Sequence, residues 1–133
     1  MRQLAVLGAT GSIGTQTLEV AARFPDRLRV VGLAAGSNIN LLAEQVRKFG
    51  VKKVVLKDEK TAEEFRRFGF SGVEVWSGIE GLCRLASLSE VDTVVNGLVG
   101  SLGLRPSIAA LETGKRLCLA NKEALVMAGK LVL

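Results

Sequence analysis

Leu4-Ala5-Val6-Leu7-Gly8-Ala9-Thr10-Gly11-Ser12-Ile13-Gly14 decides how the rest of the chain is read. Four apolar residues run into three glycines spaced three apart, and helix-compatible sequence follows, which spells a strand, a tight turn and a helix start. A helix N-terminus leaves backbone N–H groups without partners inside the helix and carries the positive end of the aligned peptide dipoles, so it attracts an anion. Gly8 permits the sharp turn, Gly11 lets a pyrophosphate reach the main chain without meeting a Cβ, and Gly14 lets helix and strand pack closely. Thr10 and Ser12 can add hydroxyl donors. The G-x-x-G-x-x-G spacing varies the common G-x-G-x-x-G, and glycines alone also suit a plain turn. The flanking strand and helix favour a dinucleotide site.

Beyond the turn, Ile13, Thr17, Leu18, Ala21 and Ala22 recur at helical spacing until Phe24-Pro25-Asp26 stops the helix. Residues 28–34 are apolar and β-branched and read as a second strand. Leu41, Leu42, Gln45, Val46 and Phe49 mark an amphipathic helix capped by Asn38 or Asn40 and ended by Gly50. Residues 53–57 form a third strand, and Asp58 caps a mostly exposed helix running through Phe65 and Phe68 to Gly69. A short strand over 73–76, a helix over 78–86 and a buried strand over 91–96 come next. Gly97, Gly100 and Gly103 then suggest a loose loop, and Pro106 opens a helix that Gly114 stops. Residues 115–120 give a last strand and 123–132 a last helix. Strands and helices alternate without linkers or repeats. The expectation is one doubly wound α/β domain with a mostly parallel sheet.

Composition agrees. A chain of 133 residues, 48% hydrophobic with 15 Gly and 2 Pro, suits a sheet whose strands are buried on both faces and excludes disorder. Its net charge of +5 comes from Lys and Arg dispersed among acids, with few aromatics, so a solvated surface is expected and not a nucleic-acid partner. No stretch is long and apolar enough for a membrane span, glycines interrupt any signal-peptide core after Leu7, and a cytoplasmic location is expected. Cys83 and Cys118 stand apart, with no histidine to complete a zinc set, and read as reduced core residues.

In such folds the ligand lies beyond the carboxyl ends of the strands. The second loop there, Gly36-Ser37-Asn38, lacks the acid that usually holds a ribose 2′-OH, so nothing repels a 2′-phosphate and NADP is favoured over NAD. Ser37 and Asn38 equally suit a turn and a helix cap. Asn96-Gly97-Leu98-Val99-Gly100 fits either a close approach to the cofactor or a flexible turn. Asn121-Lys122-Glu123 follows the last strand; these residues suit a nicotinamide and substrate end, or simply a cap with a solvated first turn.

These four segments, in this order and spacing, resemble the N-terminal NADPH-binding, Rossmann-like domain of the 1-deoxy-D-xylulose 5-phosphate reductoisomerase family, over essentially residues 1–133. The resemblance implies an enzyme that rearranges and reduces a sugar phosphate with NADPH and a divalent cation, Mg or Mn, in non-mevalonate isoprenoid biosynthesis. It implies further that Thr10, Gly11, Ser12, Ile13, Gly36, Ser37, Asn38, Asn121 and Glu123 touch NADPH, that Lys122 touches substrate, and that the full-length protein is a homodimer. Two departures stand out. Some relatives carry a basic residue where this chain has Ser37, which implies a weaker grip on the 2′-phosphate. The family's Asp-Ser-Glu metal run lies downstream of Asn-Lys-Glu, and Leu133 comes before any such run. Metal ligands and catalytic residues are therefore expected outside these residues, which alone bind NADPH without turnover. The rivals are another NADP-dependent dehydrogenase and a non-catalytic nicotinamide-nucleotide sensor. A short-chain dehydrogenase needs a tyrosine, and this chain has none.

Overall fold

The computed structural model describes residues 1–98 and 100–119. Arg2–Leu7 forms β1, Leu28–Ala34 β2, Lys53–Leu56 β3, Glu74–Ser77 β4, Thr93–Asn96 β5 and Arg116–Leu119 β6. Between them lie the helices α1 (Ser12–Arg23), α2 (Ile39–Phe49), α3 (Glu59–Arg66), α4 (Gly78–Ala86) and α5 (Leu104–Glu112), with a 3-10 turn at Gly100–Gly103. All strand pairings are parallel, in the order β4-β3-β2-β1-β5-β6.

Alternation along each strand feeds two cores. Leu4, Val6, Leu33 and Val54 pack on one face with Leu18 of α1, Leu42 and Val46 of α2, and Phe65 of α3. Ala5, Leu7, Ala34, Val55 and Val94 pack on the other with Leu82 and Leu85 of α4 and Ala110 of α5. The doubly wound expectation holds, and it follows from period-two alternation in strands buried on both sides. Glycine sets the depth of α4 against the sheet, for a Cβ on Gly32 would lie 2.4 Å from Leu85 Cδ1. Because the chain steps outward from β1 to β4 and then returns to the far side of β1 as β5, the order reverses between β1 and β5. That is where a crevice opens in such sheets.

Several expected boundaries shift for local reasons. β1 begins at Arg2, whose N–H donates to Arg27 O at 2.8 Å. β5 begins at Thr93, and the preceding Asp92 is tied to β1 by its carboxylate, which accepts the Gln3 backbone N–H at 2.9 Å. β3 stops at Leu56, leaving Lys57 outside the ladder, and β4 runs one residue later than expected. The helix after Asp58 ends at Arg66, short of Phe68; it is largely exposed as expected, with one face, Thr61, Ala62 and Phe65, buried, and Phe65 stacks on Phe70 with centroids 5.7 Å apart. Asp58 does cap it, accepting from Thr61 N at 2.8 Å, and that hydrogen bond holds the carboxyl below its ordinary pKa. Asn38, not Asn40, caps α2, accepting from Leu41 N at 3.2 Å, and Gly50 ends it in the left-handed conformation. The loop expected to be loose after Asn96 carries the 3-10 turn. The strand expected to reach residue 120 is described as far as Leu119, and the expected helix over 123–132 lies outside the described residues.

Only one cysteine matches the core reading. Cys118 is buried against Val95 and Ile13, whereas Cys83 is half-buried. Burial pushes the Cys118 thiol above its ordinary pKa, outweighing the opposite pull of Arg116, so its reactive thiolate is scarce at neutral pH. With a disulfide-exchange reagent at pH 8, Cys83 should be modified about tenfold faster than Cys118. Equal rates, read by mass mapping of the two peptides, would contradict that burial.

Candidate functional site

At the carboxyl end of β1 the chain folds into the glycine turn. Gly8 adopts φ +79°, and a Cβ there would sit 2.9 Å from Gly97 C, so the turns after β1 and β5 touch backbone to backbone. The Gly97 N–H donates to Leu7 O at 2.7 Å and locks this contact. Gly8 N–H and Ala9 N–H both donate to Ala34 O, at 2.9 and 2.8 Å, tying the turn to β2. Gly11 N–H closes on Gly8 O at 3.1 Å. Gly14 lies hard against the turn: its Cβ would meet Gly8 O at 2.1 Å.

α1 then starts from Gly11 in an extended conformation, with no side-chain cap and no acid in the first turn. Among the described residues no backbone carbonyl takes the N–H of Thr10, Ser12 or Ile13. Gly11 and Ser12 are exposed, and Gly11 is open except for Gly8 O at 3.4 Å from where a Cβ would stand. A bare, positively polarised helix start with an open glycine suits the diphosphate of a dinucleotide. The α2 start differs, since Asn38 already serves one of its amides.

Beside this turn, Gly36, Ser37 and Asn38 follow β2 and are exposed, and Gly36 has open space where a Cβ would point. Lys57 N–H donates to Gly36 O at 3.4 Å, so a lysine begins beside a loop that carries no acid. The structure thus gathers Thr10, Gly11, Ser12, Gly36, Ser37 and Asn38 at the carboxyl end of the sheet, beyond the neighbouring strands β1 and β2. Ile13 belongs to the same turn, and its side chain also packs on Val95 and Cys118. Asn121, Lys122 and Glu123 lie outside the described residues.

Two residues brace the site in ways that the motifs do not spell out. Asn96 is 3% exposed; its Nδ2 donates to Gly103 O at 2.9 Å and Ser107 Oγ at 2.8 Å, and its Oδ1 accepts from Leu98 N at 3.0 Å. It braces Leu98, Gly103 and Ser107 against the end of β5. Gln45 of α2, 7% exposed, donates from Nε2 to Ala9 O at 2.9 Å. The sequence did carry a signal for Gln45, an amide on the apolar face marked by Leu42 and Val46. Among the described residues no group of three or more His, Cys, Asp or Glu is placed to share a cation.

Known proteins place this arrangement in context. The family model described as 1-deoxy-D-xylulose 5-phosphate reductoisomerase matches residues 4–129. The chain belongs to the 1-deoxy-D-xylulose 5-phosphate reductoisomerase family. A reductoisomerase from Nitrosospira multiformis is 49% identical over 98% of this chain and 34% of its own length. A chloroplastic reductoisomerase from Mentha piperita is 47% identical over 99% of this chain and 29% of its own. Among solved structures, the Zymomonas mobilis reductoisomerase in complex with NADPH superposes with a TM-score of 0.83 at 36% identity, covering 98% of this chain and 35% of that one. A DOX-P reductoisomerase in complex with magnesium gives 0.84 at 40% identity, covering 99% and 34%. The chain thus spans about a third of the length of the reductoisomerases it matches.

Proposed function

We propose that residues 1–133 are the NADPH-binding domain of an enzyme that isomerises and reduces 1-deoxy-D-xylulose 5-phosphate to 2-C-methyl-D-erythritol 4-phosphate in non-mevalonate isoprenoid biosynthesis. The observation that carries this reading is the uncapped start of α1, offering the amides of Thr10, Ser12 and Ile13 beside an unobstructed Gly11, in a chain of this family. These residues hold the diphosphate; Gly36, Ser37 and Asn38 hold the ribose that bears the 2′-phosphate. NADPH, when bound, supplies the hydride for the reduction. Asn121 and Glu123 orient the nicotinamide end, and Lys122 offers its ammonium to the substrate's oxygens. A divalent cation, Mg or Mn, would supply Lewis-acid polarisation of the sugar oxygens, and no cluster among the described residues is placed to hold it. The whole protein works as a cytoplasmic homodimer, and the 133 residues alone bind the nucleotide without turning over substrate.

Calorimetric titration checks the binding half: NADPH should bind more tightly than NADH, and preference for NADH would overturn the reading of the Gly36-Ser37-Asn38 loop. The catalytic half is checked by NADPH oxidation on adding the sugar phosphate and Mg²⁺ to the full-length protein; its absence there would reject the activity. The missing acid after β2 also makes a prediction. Ser37→Glu places a carboxylate against the 2′-phosphate and should weaken NADPH at least about tenfold while leaving NADH within about threefold. Equal losses for both nucleotides would place the 2′-phosphate elsewhere.

A further inference from the structure

Gln45 is the odd residue in the interior of α2. Its neighbours on that face, Leu42, Ala43 and Val46, are buried apolar side chains, and an apolar residue at 45 would complete the face with no polar atom to satisfy. The amide is instead 7% exposed, with Nε2 donating to Ala9 O at 2.9 Å and Oε1 buried with no partner among the described residues. A buried oxygen left without a partner counts against the folded state, so the single hydrogen bond that Gln45 makes is the only polar return on placing an amide there.

That bond reaches 36 residues along the sequence to the middle of the glycine turn. Ala9 is held at both ends: its N–H donates to Ala34 O at 2.8 Å, and its carbonyl accepts from Gln45. In a trans peptide the C=O and the following N–H point in opposite directions. Drawing the Ala9 carbonyl inward onto α2 therefore turns the Thr10 N–H outward, and among the described residues no backbone carbonyl takes that N–H. The plane of this peptide turns about Ala9 ψ and Thr10 φ, and with the Ala9 N–H already fixed on Ala34 O, the Gln45 bond is what holds the carbonyl side of that rotation.

We infer that Gln45 is a positioning residue for the dinucleotide, its side-chain amide fixing the Ala9–Thr10 peptide plane so that the Thr10 N–H faces the diphosphate. This rests on the NADPH-binding reading above. The role is distinct from packing: a side chain of equal length without the amide fills the same space and lets the plane rotate.

Gln45→Met tests it in the full-length protein, with NADPH and 2′-AMP as the two probes. 2′-AMP carries the 2′-phosphate and adenosine but no diphosphate, so it reads the Gly36-Ser37-Asn38 loop alone. The expected result is a rise of about tenfold in the NADPH dissociation constant with 2′-AMP unchanged within about twofold. A second variant, Gln45→Glu, guards against misfolding of the first. Its buried carboxyl donates to Ala9 O only when protonated, so its NADP⁺ affinity should recover towards that of the wild type between pH 8 and pH 5.5, measured against the wild type at each pH. NADPH affinity of Gln45→Met within twofold of wild type, equal weakening of both probes, or a Gln45→Glu variant whose deficit ignores pH would each overturn the assignment. A wild-type protein that fails to bind NADPH would overturn the functional reading instead, so the two failures are told apart by the wild-type titration.

Discussion

Gly14→Ala should cost the fold about 3 kcal/mol or more, lowering the melting temperature by roughly 10 °C, because the added methyl has nowhere to go. Its Cβ would stand 2.1 Å from Gly8 O, 2.6 Å from Ala9 Cα and 2.8 Å from Ala9 C. All three are main-chain atoms, and they belong to a turn fastened to Ala34 O and to Gly97, so relief requires α1 to lift from β1 or the turn to open. Gly114→Ala is the contrasting control. Unlike the helical Gly14, that glycine has a positive φ, +76°, but its Cβ would point into open space, so only the backbone preference is lost, about 1 kcal/mol. Thermal unfolding of the two variants separates clash from conformation, and a Gly14→Ala melting point within about 2 °C of wild type would contradict the packing of the turn.

Gly11→Val should do the opposite, sparing stability and destroying affinity. The residue is extended, at φ −85° and ψ −179°, a conformation open to any amino acid, and its nearest neighbour for a Cβ is Gly8 O at an ordinary 3.4 Å. Folding should therefore suffer by no more than about 1 kcal/mol, the difference between a glycine and a branched residue at a helix N-cap. The branched side chain would stand where the diphosphate meets the bare amides, and NADPH binding should weaken about a hundredfold. A Gly11→Val protein that folds and binds NADPH as tightly as wild type would place the nucleotide away from this turn. Together the two glycines divide one motif into a residue that the fold requires and a residue that the ligand requires.

What the sequence disclosed and what it hid follow a physical line. The glycine turn, the Asp58 cap and the Gly50 stop are local: each depends on a few consecutive residues and stands in the structure as read, and of the two asparagines open as a cap for α2 the structure uses Asn38. The burial of Phe65 was hidden because α3 looks charged in isolation, and the rings that meet it, Phe68 and Phe70, lie beyond the helix. Asn96 was hidden for a similar reason. Its partners Gly103 and Ser107 become neighbours only once the 3-10 turn forms, and the glycines there suggested looseness where the buried amide imposes order. Gln45 showed as a polar residue on an apolar face, but its target lies in another loop. For Asn121, Lys122 and Glu123, local pattern alone allowed a plain helix cap, and their assignment to cofactor and substrate rests on family resemblance.

The central claim is that a dinucleotide diphosphate rests on the main-chain amides at the start of α1. Amide chemical shifts followed by NMR during an NADPH titration of isotopically labelled protein test it directly. Thr10, Gly11, Ser12 and Ile13 should show the largest changes, with Gly36, Ser37 and Asn38 responding to NADPH more than to NADH. Saturating NADPH that leaves the Thr10 to Ile13 amides unmoved would contradict the account.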